Sequence, residues 1–169
     1  MKVTMLAVVT LDGKLGRGPA HFVNWSSRED KRLFMGETKR IGVVIMGHNT
    51  YKTMPAPLPG RLHVVVTHDA AAQVAIPGVV EFTEMTPAGI VADLEARGYS
   101  EVVLGGGAQI YTLFLEAGLV DEISLTVEPL IFGKGIDLFD GVQFDVRARL
   151  LQIDRLNDTG TVRLLYSLK

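Results

Sequence analysis

The chain of 169 residues contains no cysteine, which excludes disulfides, thiolate metal sites and a cysteine nucleophile, and agrees with a reducing compartment. Charge of one sign is missing as well. Seventeen basic and 19 acidic residues leave a formal net charge of -2 and a pI near 6.1, so nothing electrostatic recommends nucleic acid or an anionic membrane as partner. No apolar run approaches the roughly 18 residues of a membrane span. The short apolar run near the N-terminus ends in Leu11-Asp12-Gly13, not in a small-residue cleavage site, so it reads as a strand and not as a signal peptide. Repeats, low-complexity tracts and linkers are also absent. With 47% hydrophobic residues the chain is long and apolar enough to bury one core. The expectation is a cytoplasmic single domain spanning residues 1–169, a monomer or homodimer, with no metal site and a small-molecule ligand.

The one stretch that carries candidate chemistry by itself is Trp25-Ser-Ser-Arg-Glu-Asp-Lys-Arg-Leu-Phe34. Ser26 followed by Glu29 reads as a capping box, which predicts a helix from about Arg28 with Ser26 as its N-cap. Asp30, Leu33, Phe34 and Thr38 then share one helical face. A carboxylate on that face would lose solvent, its pKa would rise, and it could move a proton near neutral pH. A solvated first-turn acid that serves the helix dipole has the same spacing, so both readings stand at this point.

Apolar runs at Val3–Thr10, Ile41–Met46 and Leu62–Thr67 predict buried strands, with further strands at 79–82 and 101–104. Between the first strand and the helix, residues 12–24 hold three glycines and a proline, which predicts an irregular loop able to act as a lid. Gly47-His-Asn-Thr50 places a glycine and a short helix directly after a strand, a way to bind phosphate through backbone N–H groups. The proline-rich segment 54–61 is a stiff loop that aims Arg61, suited to a carboxylate. Thr86 and Pro87 cap a helix running to about Arg97 and closed by Gly98. Gly105-Gly-Gly107 precedes another helix, 108–117, and would let a pyrophosphate approach closely. From Glu122 onward strands follow one another at 123–128, 145–154 and 159–168, with a hairpin turn at 157–160. The result is an α/β domain with a mainly parallel central sheet, flanking helices and an antiparallel C-terminal edge, its ligand at the strands' carboxyl ends.

These pieces in this order resemble the dihydrofolate reductase superfamily from about Val3 to Phe139. Met46-Gly-His-Asn-Thr-Tyr51 and Leu58-Pro-Gly-Arg61 are similar to its MGxxT[WY] and LPGR motifs, joined by Trp25, Asp30 and Phe34 and by Gly106 to Tyr111. The resemblance implies a single dihydrofolate-reductase-like domain that reduces dihydrofolate with NADPH, Asp30 assisting protonation with Trp25 and Thr126. Val8, Lys31, Phe34, Met54, Leu58, Arg61 and Gly105 would meet the substrate, Arg61 by its α-carboxylate. NADPH would lie along Ala7, Val8, Leu15 and Gly16 at the nicotinamide, Gly47, His48, Asn49 and Thr50 at one helix, and Gly106, Gly107, Ala108, Gln109, Ile110 and Tyr111 at the other. His48, in place of the family's frequent Arg, and Thr67 and His68 would meet the 2′-phosphate, so cofactor affinity should weaken as pH rises through the His range. Lys31 stands at a position usually apolar, and Gly105 at one usually bulky. Leu11-Asp-Gly-Lys-Leu, Trp25-Ser-Ser-Arg-Glu-Asp and Leu115-Glu-Ala-Gly-Leu-Val-Asp-Glu resemble instead the riboflavin-biosynthesis reductase domain, which implies the alternative substrate, a ribosylaminopyrimidine phosphate.

Overall fold

A Val-rich segment without a polar side forms the central strand β1 (Lys2–Thr10), buried along most of its length. The computed structural model describes residues 1–169 apart from Ala20, Phe22, Asp140 and Val142. After β1 come β2 (Lys14–Gly16), α1 (Arg28–Ile41), β3 (Val43–Gly47), α2 (His48–Lys52), β4 (Leu62–Val66), β5 (Val80–Thr83), α3 (Pro87–Ala96), β6 (Glu101–Leu104) and α4 (Ala108–Glu116). The chain closes with β7 (Glu122–Glu128), β8 (Ile136–Asp137), β9 (Arg149–Arg155) and β10 (Val162–Ser167). Among the described residues the main sheet has eight strands in the order β5-β4-β3-β6-β1-β7-β10-β9. Pairings from β5 across to β7 are parallel, and β10 runs antiparallel to both β7 and β9. The expected parallel sheet with an antiparallel C-terminal edge is therefore present.

Apolar side chains on both faces explain the parallel strands: Val43, Ile45, Val102 and Leu104 join one core with Phe114, Leu94 and Ile90, while Val44, Met46, Val65 and Val103 join another. Thr86 caps α3 through its side chain with Pro87 in the first turn, and Gly98 follows in the left-handed region. Two expectations need correction. The segment 12–24 is not wholly irregular, because Lys14–Gly16 pairs antiparallel with Ile136–Asp137; its positions Ala20 and Phe22 lie outside the described residues. The N-cap of α1 is Ser27, not Ser26, since the Ser27 side chain accepts from Asp30 N–H.

Candidate active site

The carboxyl ends of β1, β3 and β6 open into a cavity of about 460 Å³, closed on one side by α1 and on another by the proline-rich loop. Its floor holds Leu6, Ala7 and Val8 from β1, Met46 from β3, and the glycine turn Gly105 to Gly107. Leu15, Gly16, Gly18, Pro19, His21 and Val23, from the segment before α1, also line the cavity. Asp12 anchors the loop at its start: its carboxylate accepts from Thr10 Oγ1 and from the backbone N–H groups of Phe132 and Gly133. The Thr10 hydroxyl is the leading cause that lowers the Asp12 pKa to about 2.

Asp30 is the acid of the site. It is 7% exposed and lines the cavity beside Leu33, Phe34 and Met35. Burial raises its pKa above the usual carboxylate range, and the charge of Glu128 pushes the same way; the hydroxyls of Ser26 and Thr126 and the charge of Lys31 oppose. Ser26 Oγ stops short of hydrogen-bond geometry with any described protein group, as does Trp25 Nε1. Trp25 itself does not line the cavity; its ring packs edge-on to Phe132 at 5.2 Å.

The glycines are demanded by packing. A Cβ on Gly105 would lie 2.8 Å from Val44 Cγ2, one on Gly47 3.1 Å from Ile110 Cγ1, and one on Gly107 3.1 Å from Thr50 Oγ1. Gly47 and Gly106 are also stitched together, Gly47 N–H donating to Gly106 O at 2.8 Å. The N-cap of α4, Gly107, makes no side-chain cap bond, which leaves first-turn N–H groups without a side-chain acceptor. Tyr111 is buried and donates to Leu6 O at 2.8 Å, joining α4 to the floor.

Of the residues expected at the substrate, Val8, Lys31, Phe34, Met54, Leu58 and Gly105 line the cavity and Arg61 does not. Arg61 is 5% exposed and turns back to α1, donating to Met35 O, Thr38 Oγ1 and Pro59 O. The loop that was expected to aim it at a ligand carboxylate instead uses it as a brace. Of the cofactor set, Ala7, Leu15, Gly16, Thr50, Gly106, Gly107, Ala108 and Tyr111 line the cavity, whereas Gly47, His48, Asn49, Thr67, His68, Gln109 and Ile110 do not. His48 and Thr67 nevertheless meet, Nδ1 to Oγ1 at 3.4 Å, beside Phe82. Thr126 lies behind Asp30 on β7, outside the lining. Sequence reasoning missed several lining residues, Ser26, Met35, Met46 and Thr53 among them, and two buried groups outside the lining on opposite walls, Glu128 and His63. Only the adjacency of Ser26 to Trp25 offered a signal.

A parallel sheet with an antiparallel edge, a buried acid on the first helix and a glycine turn at the strand ends define a reductase of the dihydrofolate-reductase-like class. Within that class the chain belongs to the RibD C-terminal domain family, whose profile matches residues 1–162. A dihydrofolate reductase from Neisseria meningitidis is 33% identical over 147 residues, covering 81% of this chain and 82% of the relative. A putative dihydrofolate reductase from Caenorhabditis elegans is 29% identical over 132 residues, 72% of this chain and 70% of that one. The structure of a putative riboflavin biosynthesis protein from Shewanella sp. PV-4 superposes with a TM-score of 0.80 at 19% identity, over 100% of this chain and 99% of the other. That of Acinetobacter baumannii RibD superposes with a TM-score of 0.82 at 17% identity, over 99% of this chain but 58% of the larger one. These two structures share the fold. No helix among the described residues is long and apolar enough to cross a membrane.

Proposed function

We propose that the protein is an NADPH-dependent reductase of a small C=N-containing heterocycle, with dihydrofolate as its first substrate. The observation that carries this reading is Asp30: a carboxyl group with a raised pKa on the wall of an otherwise apolar cavity. The cofactor's fit rests on the glycine turn, where Gly106 and Gly107 bring backbone to the cavity wall, and on the uncapped start of α4. Ala7, Leu15 and Gly16 would border the nicotinamide, Thr50, Gly107 and Ala108 the pyrophosphate, and His48 and Thr67 the 2′-phosphate. When bound, NADPH would supply the hydride that reduces the substrate C=N bond.

Asp30 holds the pterin ring through its carboxyl and assists protonation of N5. Thr126 orients the acid, and Trp25, although its ring lies outside the lining, would act only through a water on Nε1, which has no protein acceptor. Leu33, Phe34, Met54 and Leu58 take the aminobenzoyl ring, and the lid before α1 keeps bulk water from the reacting atoms. Arg61, however, is engaged elsewhere, and the family is that of a riboflavin-type reductase domain. These two facts favour a ribosylaminopyrimidine phosphate as the second reading, with Lys31 as the cation on the lining. The test is loss of absorbance at about 340 nm with NADPH and each substrate in turn. Turnover of dihydrofolate alone supports the first reading, turnover of the phosphate alone replaces it, and turnover of neither removes both.

A further inference from the structure

Ser27-Arg-Glu-Asp30 has the form of a local capping box, in which the acid three residues after the N-cap reaches back to the N-cap's own N–H. Here half of the box is made: Ser27 Oγ accepts from Asp30 N–H at 3.2 Å. The reciprocal bond is not made by Asp30. Ser27 N–H donates instead to Glu128 Oε1, at 2.7 Å and from 101 positions away. Glu128 sits at the end of β7, 4% exposed, and its second oxygen accepts from Thr161 Oγ1 at 2.7 Å. Thr161 in turn accepts from Asn157 Nδ2 at 2.9 Å, and the same Nδ2 lies 3.3 Å from Glu29 Oε2. The hairpin between β9 and β10 thus clamps the start of α1 through Glu128.

We propose that Glu128 is a positioning residue for the catalytic acid: by occupying the Ser27 N–H it completes the helix cap from outside and leaves the Asp30 carboxyl free to face the cavity. The proposal rests on Asp30 being the acid of the reaction, but its geometry does not depend on which heterocycle binds. Without Glu128, the cheapest acceptor for the orphaned Ser27 N–H is Asp30 itself, three residues on, so the side chain would rotate out of the wall into a conventional cap. Glu128 also acts on Asp30 through its charge, in the same direction as burial.

The experiment compares the parent, Glu128→Gln and Glu128→Ala by the carboxyl carbon resonance of Asp30 followed across pH. Gln keeps an acceptor for Ser27 N–H and loses the charge; Ala loses both. Asp30 should titrate lower in Glu128→Ala than in Glu128→Gln, and lower in Glu128→Gln than in the parent. Turnover should drop about tenfold to a hundredfold in kcat with Ala and recover most of the way with Gln. Equal Asp30 titration in Gln and Ala, or a Gln variant as impaired as Ala, overturns the proposal. If Ala does not fold, Thr161→Val takes its place: it frees one Glu128 oxygen and keeps Ser27 N–H paired, so Asp30 must stay in the wall and kcat must hold within about threefold. Departure of Asp30 in that variant also overturns the proposal. Because the titration needs no substrate, its outcome is separate from whether dihydrofolate is turned over.

Discussion

The two side walls of the cavity are both braced by buried polar side chains that stay outside it, but the braces are of opposite chemistry. On the α1 side the brace is an acid, Glu128, holding backbone and hydroxyl donors. On the proline-rich side it is a pair of bases. Arg61 donates into α1, while His63, fully buried on β4, sits between a carbonyl and an amide: Nδ1 lies 3.0 Å from Val79 O and Nε2 accepts from Leu58 N–H at 3.1 Å. A carbonyl on one side and an N–H on the other dictate a neutral imidazole protonated on Nδ1. Burial lowers the His63 pKa, and the nearby Arg61 charge adds to this. The difference teaches that one wall is fixed by an oxygen acceptor for donors of α1 and the β9–β10 hairpin, and the other in part by an imidazole that must stay neutral.

The largest effect that would break this comparison concerns the acid inside the cavity. Asp30→Asn should lower kcat by about a hundredfold or more, and an undiminished rate would remove Asp30 from the mechanism. Its stability should change the other way. With a raised folded pKa, Asp30 stabilises fully below about pH 3.9 and loses that contribution as pH rises through the folded value. Melting curves should therefore show the Asn variant gaining on the parent between pH 4 and pH 8. On the opposite wall, His63→Leu leaves the Leu58 N–H unpaired and takes the side-chain partner from the Val79 carbonyl, which keeps the His63 backbone N–H; it should cost about 1–3 kcal/mol in denaturant unfolding.

A subtler expectation follows from the depressed His63 pKa. The unfolded chain takes the proton first, so this contribution to stability is complete above about pH 6.5 and is lost as pH falls below it. Exchange of the Leu58 amide, followed from pH 8 to pH 5 against the Ser27 amide as reference, should report it: Leu58 should lose protection first, and equal loss at both would sink the asymmetry of the walls. Thr161→Val is the smallest change, about 1 kcal/mol by thermal or chemical melting, since Glu128 keeps its bond to Ser27.

Much of the site could be read along the chain. Leu33 and Phe34 at helical spacing from Asp30 announced the inner face of α1, and Gly47 with Gly105 to Gly107 announced the close approach of two strand ends. Arg61 could not be read this way, because the arginine of LPGR is compatible with either a ligand or the end of α1 as its acceptor. The choice is made by Met35 O and Thr38 Oγ1, more than twenty positions earlier. Ser27 likewise takes the cap in place of Ser26, its side chain accepting the Asp30 N–H while Glu128 from β7 accepts its own N–H.

What the sequence determined by itself is what periodicity and local chemistry can encode: apolar runs that become parallel strands, the Thr86-Pro87 start of α3, and an acid on the apolar face of a helix. What only the tertiary structure decided is where the polar groups find partners. Lys14–Gly16 becomes a strand because Ile136–Asp137 lies alongside, and Asp30 faces the cavity while Glu128 closes the cap. Such choices depend on which donors and acceptors are brought within about 3 Å after the chain has folded, a distance that sequence spacing does not fix.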